Sequence, residues 1–478
     1  MISVMLFQIT TTLLSLITLP IFTKSYSAQI YGIWTQINLT NVLIGPILTL
    51  QFSVAIIRYL AGEEDKTKRQ HSLGAMLCTI FIFSVFVLAF SIAFASQLSN
   101  FLFASHDYVN FVLLTFLWTF VDALFIFFIS YLRARSKIIT TSWIQVSFTI
   151  SHMIVIVFIA SLSLGLQWII TSILGVDLLF TIGTLALIIR QDGLPLPTLK
   201  GIKKFLLFSI PQIPTGLLIW ITASSDRFFI THYIGLTETA IYSCSDLLGA
   251  MIGLFSFPIC FVLLPVVSKA WEQNRRDDVK NYFEYSIKIF LTLAIPGAVG
   301  LAMLAEPVLK IITTSEYLAG WQLVLLVSIG TIFQSLASIF VFTVYLVEKT
   351  KWIPLASLIS AIISICANYY LIPRIGIIGG AVATIASYFV LASIYFIWTR
   401  KIVTLSINIL YLVKVVFATM PMALFLYCLK ADSVLRIILV IIGGTVIFAL
   451  SIFLLRPFTE QDKKLITRVL GGLIPWLH

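Results

Sequence analysis

The sequence predicts an all-α polytopic membrane protein of about 14 transmembrane helices, with two six-helix lobes in parallel repeat plus two extra C-terminal helices. Three observations predict it. Apolar segments recur along the whole 478-residue chain, each close to the roughly 20 residues a helix needs to cross a bilayer. Hydrophobic residues make up 60% of the chain and charged residues only 11%, against about a quarter charged in a soluble domain. The 31 Lys and Arg also lie mostly on one side of this ladder. About 24 sit beside even-numbered junctions or in the C-terminal tail, about six sit beside odd-numbered ones, and Lys414 is inside a segment. That positive-inside asymmetry places both termini in the cytoplasm.

The segments follow in order. The first, 3–23, starts almost at the N-terminus without a basic n-region, so it reads as a span and not as a cleaved signal. Gln8, Thr11, Ser15 and Thr18 form a polar stripe along it, a pattern that glues helices together or lines a path. Segments 37–59 and 73–95 flank the charged loop 61–71, AGEEDKTKRQH. Segments 109–131 and 138–160 flank 133–137, RARSK, and 167–189 runs into the basic stretch 190–204. Segments 205–230, 240–266, 284–305 and 321–346 continue the ladder, and 353–372, 377–398, 408–429 and 435–455 complete it. Further basic junctions fall at 268–283, 348–352 and 399–407, whereas the external loops 96–108 and 161–166 carry no Lys or Arg. No loop exceeds about 17 residues, which leaves no room for a soluble domain or an enzyme site outside the bilayer. The tail beyond Arg456 mixes apolar and basic residues with Trp476, as a solvated tail or a short interfacial helix would.

An internal repeat organises the ladder. An offset of 211 residues lays Tyr31 on Tyr242 and Arg58 on Lys269, and brings the charged loops after spans two and eight together. Six spans separate the copies, an even number, so they share one orientation and relate by an axis along the membrane normal. The expected organisation is a six-helix lobe over 1–204, a second over 205–401, a two-helix segment over 402–456 and a cytoplasmic tail over 457–478. The two lobes are expected to face each other over a central cavity.

Several chemistries are missing from the sequence. The net charge of +11 is scattered singly or in twos and threes, with no stripe that could track nucleic acid. Cys78, Cys244, Cys260, Cys366 and Cys428 are isolated, with no CxxC pair, which argues against disulfides and cysteine metal sites. There is no GxxxxGK[ST] phosphate loop and no HExxH. An embedded hydrolase or transferase would show carboxylate or histidine clusters near a membrane face. Transport is the class that remains.

Ionisable residues at membrane depth are costly and default to functional candidates. Asp122 lies eleven residues before Arg133 and Asp177 thirteen before Arg190, both near the bilayer centre. Asp246 lies on a stripe with Ala250, Gly253 and Phe257 that admits a close helix neighbour. The seventh span carries Pro211 and Pro214 in its inner half, which favours a bend, and Asp226 and Arg227 in its outer half. Helical spacing puts Ser209, Gln212, Gly216, Trp220, Ala223 and Arg227 on one face, with donors, a flat ring and a cation. Asp226 and Arg227 are adjacent and are not expected to face each other within a helix. Arg58 and its repeat partner Lys269 could frame a cationic vestibule, although Arg58 could equally snorkel to the headgroups. Lys24 is similarly placed at the outer end of span one, and Lys414 is expected to snorkel inward.

Three stretches resemble a known family. LPIFTKSYSAQIYGIW (19–34) resembles the end of the first span of Wzx-type polysaccharide flippases, the O-antigen and capsule repeat-unit exporters. These share a superfamily with the multidrug and toxic-compound extruders. DRFFITHYIGLTETAIYS (226–243) is similar to the second-half counterpart. NYYLIPRIGIIGGAVATIAS (368–387) resembles the family's N-x-x-LIP-x-x-G-x-x-GAA-x-AT-x-x-S stretch, with Gly380 where the first alanine is usual. The last motif is the most specific, and it marks helix packing and not a substrate. The resemblance implies a non-enzymatic flippase of the bacterial cytoplasmic membrane that moves undecaprenyl-diphosphate-linked oligosaccharide to the outer leaflet by alternating access. Its implied partners are that lipid-linked glycan, membrane lipids, and a polysaccharide polymerase with its assembly proteins.

A cation-coupled multidrug exporter of the same fold is the competing reading, and a structural scaffold in a polysaccharide assembly complex is a third. The scaffold explains neither the proline-broken span nor the polar stripe. A diphosphate calls for cations, which Arg227, Arg58, Lys269 and Lys24 supply beside Gln212 and Trp220. Organic-cation export calls for buried carboxylates, which Asp122 and Asp177 keep in play. No cofactor is implied. Without a nucleotide motif, coupling would run through a proton or sodium gradient, with Asp122 best placed, then Asp226 and Asp177.

Overall fold

The computed structural model describes residues 17–405, 409–429 and 433–455. Helix covers nearly all of them, and no strand occurs among the described residues. From Ala28 onward the helices are α1 (Ala28–Leu48), α2 (Phe52–Leu60), α3 (Lys66–Ala93), α4 (Ala95–Phe103), α5 (Val109–Ala134) and α6 (Ile138–Ser161). Then come α7 (Leu166–Asp192), α8 (Ile202–Ser209), α9 (Gln212–Tyr233), α10 (Leu236–Gly249) and, after a 3₁₀ turn at Ala250–Phe255, α11 (Ser256–Glu272). The chain continues through α12 (Arg276–Ile312), a 3₁₀ turn at Ser315–Gly320, α13 (Leu323–Leu346) and α14 (Trp352–Ile375). It closes with α15 (Ile377–Ile402), α16 (Ile409–Cys428) and α17 (Val434–Leu455). Among the described residues 12 spans are long and apolar enough to cross a membrane, or 13 with α1 and α2 counted as one. The expected first span, with Gln8, Thr11 and Ser15, falls largely on residues outside the described ones, as does the tail beyond Arg456.

Several elements differ from expectation for local reasons. The second span starts nine residues early, at Ala28, where the Ser27 side chain caps the helix by accepting from Ile30 N. It then breaks: Leu50 and Gln51 adopt left-handed backbone at φ 49° and 55°, and α2 departs from α1 at 47°. The loop expected at 96–108 is half helix. Its α4 buries Ala95, Ser99, Leu102 and Phe103, and the Ser99 hydroxyl donates to Ser105 O at 2.7 Å. The charged junction 268–283 is a tight turn between two helices. Asn274 turns the chain at φ 55°, and α12 begins at Arg276 with Asp277 and Asp278 in its first turn, where the helix dipole favours acids. The eighth span runs on to Glu272 and switches to 3₁₀ at its middle, where Gly249 lets α13 close in: a Cβ there would sit 2.7 Å from Val327.

By packing, the chain divides into two compact units, Met1–Ser243 with Ser357–Ala383, and Cys244–Ala356 with Thr384–His478. The first is built on α5, whose most apolar stretch is 67% buried against 17% for α6, so α5 is core and α6 is a lipid-facing cover. Trp118, Phe116, Ile33, Ile37, Ile169 and Ile170 form one end of that core. Phe52, Ile56, Met76, Phe127, Phe128 and Ile188 form the other. The second unit centres on Phe283, Phe290, Ile339, Phe340 and Val344. There α16 and α17 pack on α12 through Leu304, Met422, Leu426, Ile437 and Val440.

Candidate functional site

In the first unit, near the α9–α10 turn, the sequence places polar groups on four elements that pack together. Asp226 and Arg227 are 3% and 7% exposed, and contrary to the helical-spacing expectation they pair. The arginine side chain is long enough to fold back over its own turn, bringing Nη1 within 3.2 Å of Asp226 Oδ1. The backbone N–H of Arg227 donates to the same oxygen at 2.8 Å, and Tyr242 Oη donates to Oδ2 at 2.6 Å. The guanidinium lies 5.6 Å from the Tyr242 ring centroid and also donates to Ala223 O. From α1, Gln36 donates to Arg227 O at 3.0 Å and to Thr231 Oγ1. From α14, Asn368 donates to the Ser225 and Ser364 hydroxyls, both at 3.3 Å. Gln36 Oε1 and Asn368 Oδ1 are buried acceptors without a donor among the described residues.

This cluster joins the three resembling stretches. A Cβ on Gly32 would sit 2.1 Å from Leu236 O, and one on Gly380 would touch Ile230 and Tyr242 at 3.2 and 3.4 Å. The motif glycines are therefore the surfaces on which α1, α9, α10 and α15 meet.

A second cluster lies among α1, α5, α6 and α7. Asp177 is fully buried, its Oδ2 accepting from Trp118 Nε1 at 2.8 Å and its Oδ1 bound to His152 Nε2 at 2.5 Å. Asp122, one helical turn after Trp118, is half-buried and takes a side-chain hydrogen bond from Asn41. Asp122 and Asp177 are thus brought together, whereas Asp226 belongs to the other cluster.

The remaining candidates are dispersed. Arg58 is exposed on α2, its guanidinium 4.6 Å from the Phe208 ring, and Lys204 stacks on Phe205 at 4.6 Å. Tyr59 lies between them, 5.8 Å from the guanidinium and 5.6 Å from the ammonium. Lys24, Lys269 and Gln212 are exposed. Trp220 is half-buried and donates to Leu39 O at 3.2 Å. On the predicted face of the seventh span, Ser209 is fully buried and Gly216 faces Gln51 at the α1–α2 break. In the second unit, α12, α16, α17 and the 3₁₀ turn enclose a cavity of about 520 Å³, lined by Phe255, Pro296, Leu301, Met422, Ile441 and Phe448.

His152 is not among the residues expected from the sequence, although it stands in the middle of an apolar segment and meets the same criterion of an ionisable group at membrane depth. Arg69 is not among them either. This residue is 6% exposed, clamps Asp192 at 2.5 Å with help from Tyr131, and caps the Glu63 and Glu64 carbonyls. Arg69 sits in a charged loop motif, where a buried partner leaves no sequence signal.

A family model described as polysaccharide biosynthesis protein matches residues 1–271, more than half of the chain. The chain belongs to the polysaccharide biosynthesis protein family. A second model, MatE, matches residues 199–370 of this family member. It is similar to the probable low-salt glycan biosynthesis flippase of Haloferax volcanii, at 20% identity over 58% of this chain and 60% of that protein. It is also similar to an uncharacterized membrane protein of Methanocaldococcus jannaschii, at 25% identity over 36% of this chain and 34% of that one. The match spans less than two thirds of the length of either curated relative. Among solved structures it shares the fold of the lipid II flippase MurJ in an inward closed conformation, with a TM-score of 0.79 at 18% identity over 93% of this chain and 97% of that one. An inward-facing multidrug resistance MATE family transporter gives 0.68 at 14% identity, over 82% of this chain and 94% of that one. These likenesses show a shared fold.

Proposed function

We propose that this member of the polysaccharide biosynthesis protein family is a flippase for lipid-linked oligosaccharide. It moves undecaprenyl-diphosphate-linked repeat units from the inner to the outer leaflet of a bacterial cytoplasmic membrane. The observation that carries this reading is the cavity of about 520 Å³ against α16 and α17, whose wall is apolar apart from Thr445. A polyprenyl chain is a ligand of that chemistry, since burying it needs apolar area and no polar partners. Arg58 and Lys204, held on rings at one end of the first unit, suit the diphosphate. Lys24, Lys269, Gln212 and Trp220 are secondary contacts along the route. Arg227 reaches substrate only when its pair with Asp226 opens.

Movement is by alternating access between the six-helix halves 1–204 and 205–401, with both termini cytoplasmic. The 402–456 helices accommodate lipid, and polymerase and assembly proteins act downstream. A strain lacking the gene should accumulate lipid-linked glycan at the inner leaflet, and unchanged lipid-linked pools with normal surface glycan would end this reading. The MatE match over 199–370 supports a second reading, cation-coupled export of small molecules. In that case the deletion changes drug susceptibility and leaves glycan intermediates unchanged.

A further inference from the structure

We propose that the ring-lined cavity of the first unit is a glycan-binding site, which holds a neutral sugar ring of the cargo. This rests on the flippase reading for the identity of the cargo, and deepens it by giving the sugar a site of its own. The cavity has a volume of about 490 Å³ and lies among α1, α4, α9 and α14. Six of its ten lining residues are rings: Phe101, Trp220, Phe228, Phe229, His232 and Tyr233. The cavity against α16 and α17 has two aromatic residues among sixteen, Phe255 and Phe448. An amphiphile with a polyprenyl tail and a glycan head calls for two such unlike walls. Aliphatic area suits the tail. Rings suit the head, because the negative face of an aromatic ring attracts the partly positive C–H bonds on the flat side of a pyranose.

Packing fixes the rings before a ligand arrives, so little freedom is lost on binding. Trp220 Nε1 donates to Leu39 O at 3.2 Å, which engages the polar atom of the indole with α1. Phe228 sits edge-on to Trp220 at 5.3 Å, and Phe101 lies 6.0 Å from Phe228. Phe229 stacks on Tyr233 at 6.1 Å, and Tyr369 of α14 is edge-on to Tyr233 at 6.4 Å. Hydroxyls need partners as well as faces. His232 Nδ1 lies 2.8 Å from Phe228 O. A carbonyl only accepts, so Nδ1 carries the proton and the neutral ring keeps Nε2 as an acceptor. His232, Tyr233 and Phe101 are exposed, so the cavity opens where these polar edges stand. Phe101 belongs to the loop 96–108, which carries no Lys or Arg and lies on the side that the charge asymmetry makes external. The same rings would attract an organic cation. Such a ligand calls for a counter-charge, and no carboxylate lines the cavity among the described residues. No Lys or Arg lines it among them either, so the diphosphate is held elsewhere. The wall matches a neutral, hydroxylated ring.

The test uses the purified full-length protein in lipid nanodiscs, labelled with fluorotryptophan, the Trp220 resonance being the one missing from Trp220→Phe. The probe is the free glycan released by mild acid from the lipid-linked pool of the source cells, which carries neither polyprenyl nor diphosphate. It should move the Trp220 resonance and bind saturably by calorimetry. Trp220→Leu and Phe229→Leu keep apolar bulk and remove a ring, and each should weaken binding about tenfold. His232→Phe, at an exposed position, keeps a ring, removes the acceptor and should weaken binding as well. It carries the test if either leucine variant fails to fold. A Trp220 resonance that the glycan leaves in place, full affinity in His232→Phe, or full affinity in both folded leucine variants would overturn the assignment. So would a resonance moved by tetraphenylphosphonium or by undecaprenyl phosphate but not by the glycan. The deletion strain separates this from the flippase reading. Accumulated lipid-linked glycan without binding at Trp220 would sink the site alone, and binding without accumulation would keep the site and sink the transport reading.

Discussion

At the residue scale, Asp226 and Arg227 show how a buried ion pair changes the meaning of a mutation. Removing one partner of such a pair leaves a stranded charge, at a cost of about 3–5 kcal/mol. Arg227→Ala should therefore lower the thermal melting of the purified protein as well as its export, and Arg227→Lys should retain part of both. Tyr242→Phe removes the hydroxyl that satisfies Asp226 Oδ2, so its effect, about 1–3 kcal/mol, should shrink when combined with Asp226→Asn. A double-mutant cycle on melting checks this. Normal melting with lost export in Arg227→Ala would instead make the guanidinium a substrate contact. The sequence exposed the candidate groups because carboxylates and arginines at membrane depth are conspicuous. Their partners were hidden, because Gln36, Tyr242 and Asn368 lie in motifs far apart in the chain, and only packing brings them together.

At the scale of elements, apolar length and charge made the spans legible, while their interruptions were legible only where proline marks them. Pro211 stands where the helix is interrupted between α8 and α9, although the two remain one span. The sharper break at Leu50 and Gln51 carries no such mark, because left-handed backbone at non-glycine residues is imposed by surroundings and not by local preference. The same limit applies to α4, a short helix hidden in what reads as an uncharged loop. Glycine positions translate into contacts that can be tested. A methyl on Gly32 meets the Leu236 carbonyl at 2.1 Å, and backbone cannot swing away as a side chain can. Gly32→Ala should therefore cost about 1–3 kcal/mol and increase labelling of a cysteine placed at the buried Thr231 by an impermeant thiol reagent. Unchanged melting and labelling would show that α1 and α10 do not bear on each other there.

At the scale of the whole molecule, the fold class was legible because a bilayer imposes two rules that sequence records directly, apolar length and basic cytoplasmic loops. Reporter fusions after Arg69, Arg135 and Lys203 should accordingly read cytoplasmic, and those near Gln97 and Leu236 external. Two or more reversed signals would contradict the topology. The substrate was not legible in this way, since an apolar groove and scattered cations carry no mark of any particular sugar. The most direct measurement of the central claim uses the purified protein in vesicles carrying a polyprenyl-diphosphate oligosaccharide in one leaflet, with a membrane-impermeant glycosidase or lectin reporting its arrival in the other. The account predicts appearance at a rate far above that of protein-free vesicles, reduced in Arg58→Ala. Rates equal to protein-free vesicles, under every imposed proton or sodium gradient, would contradict it.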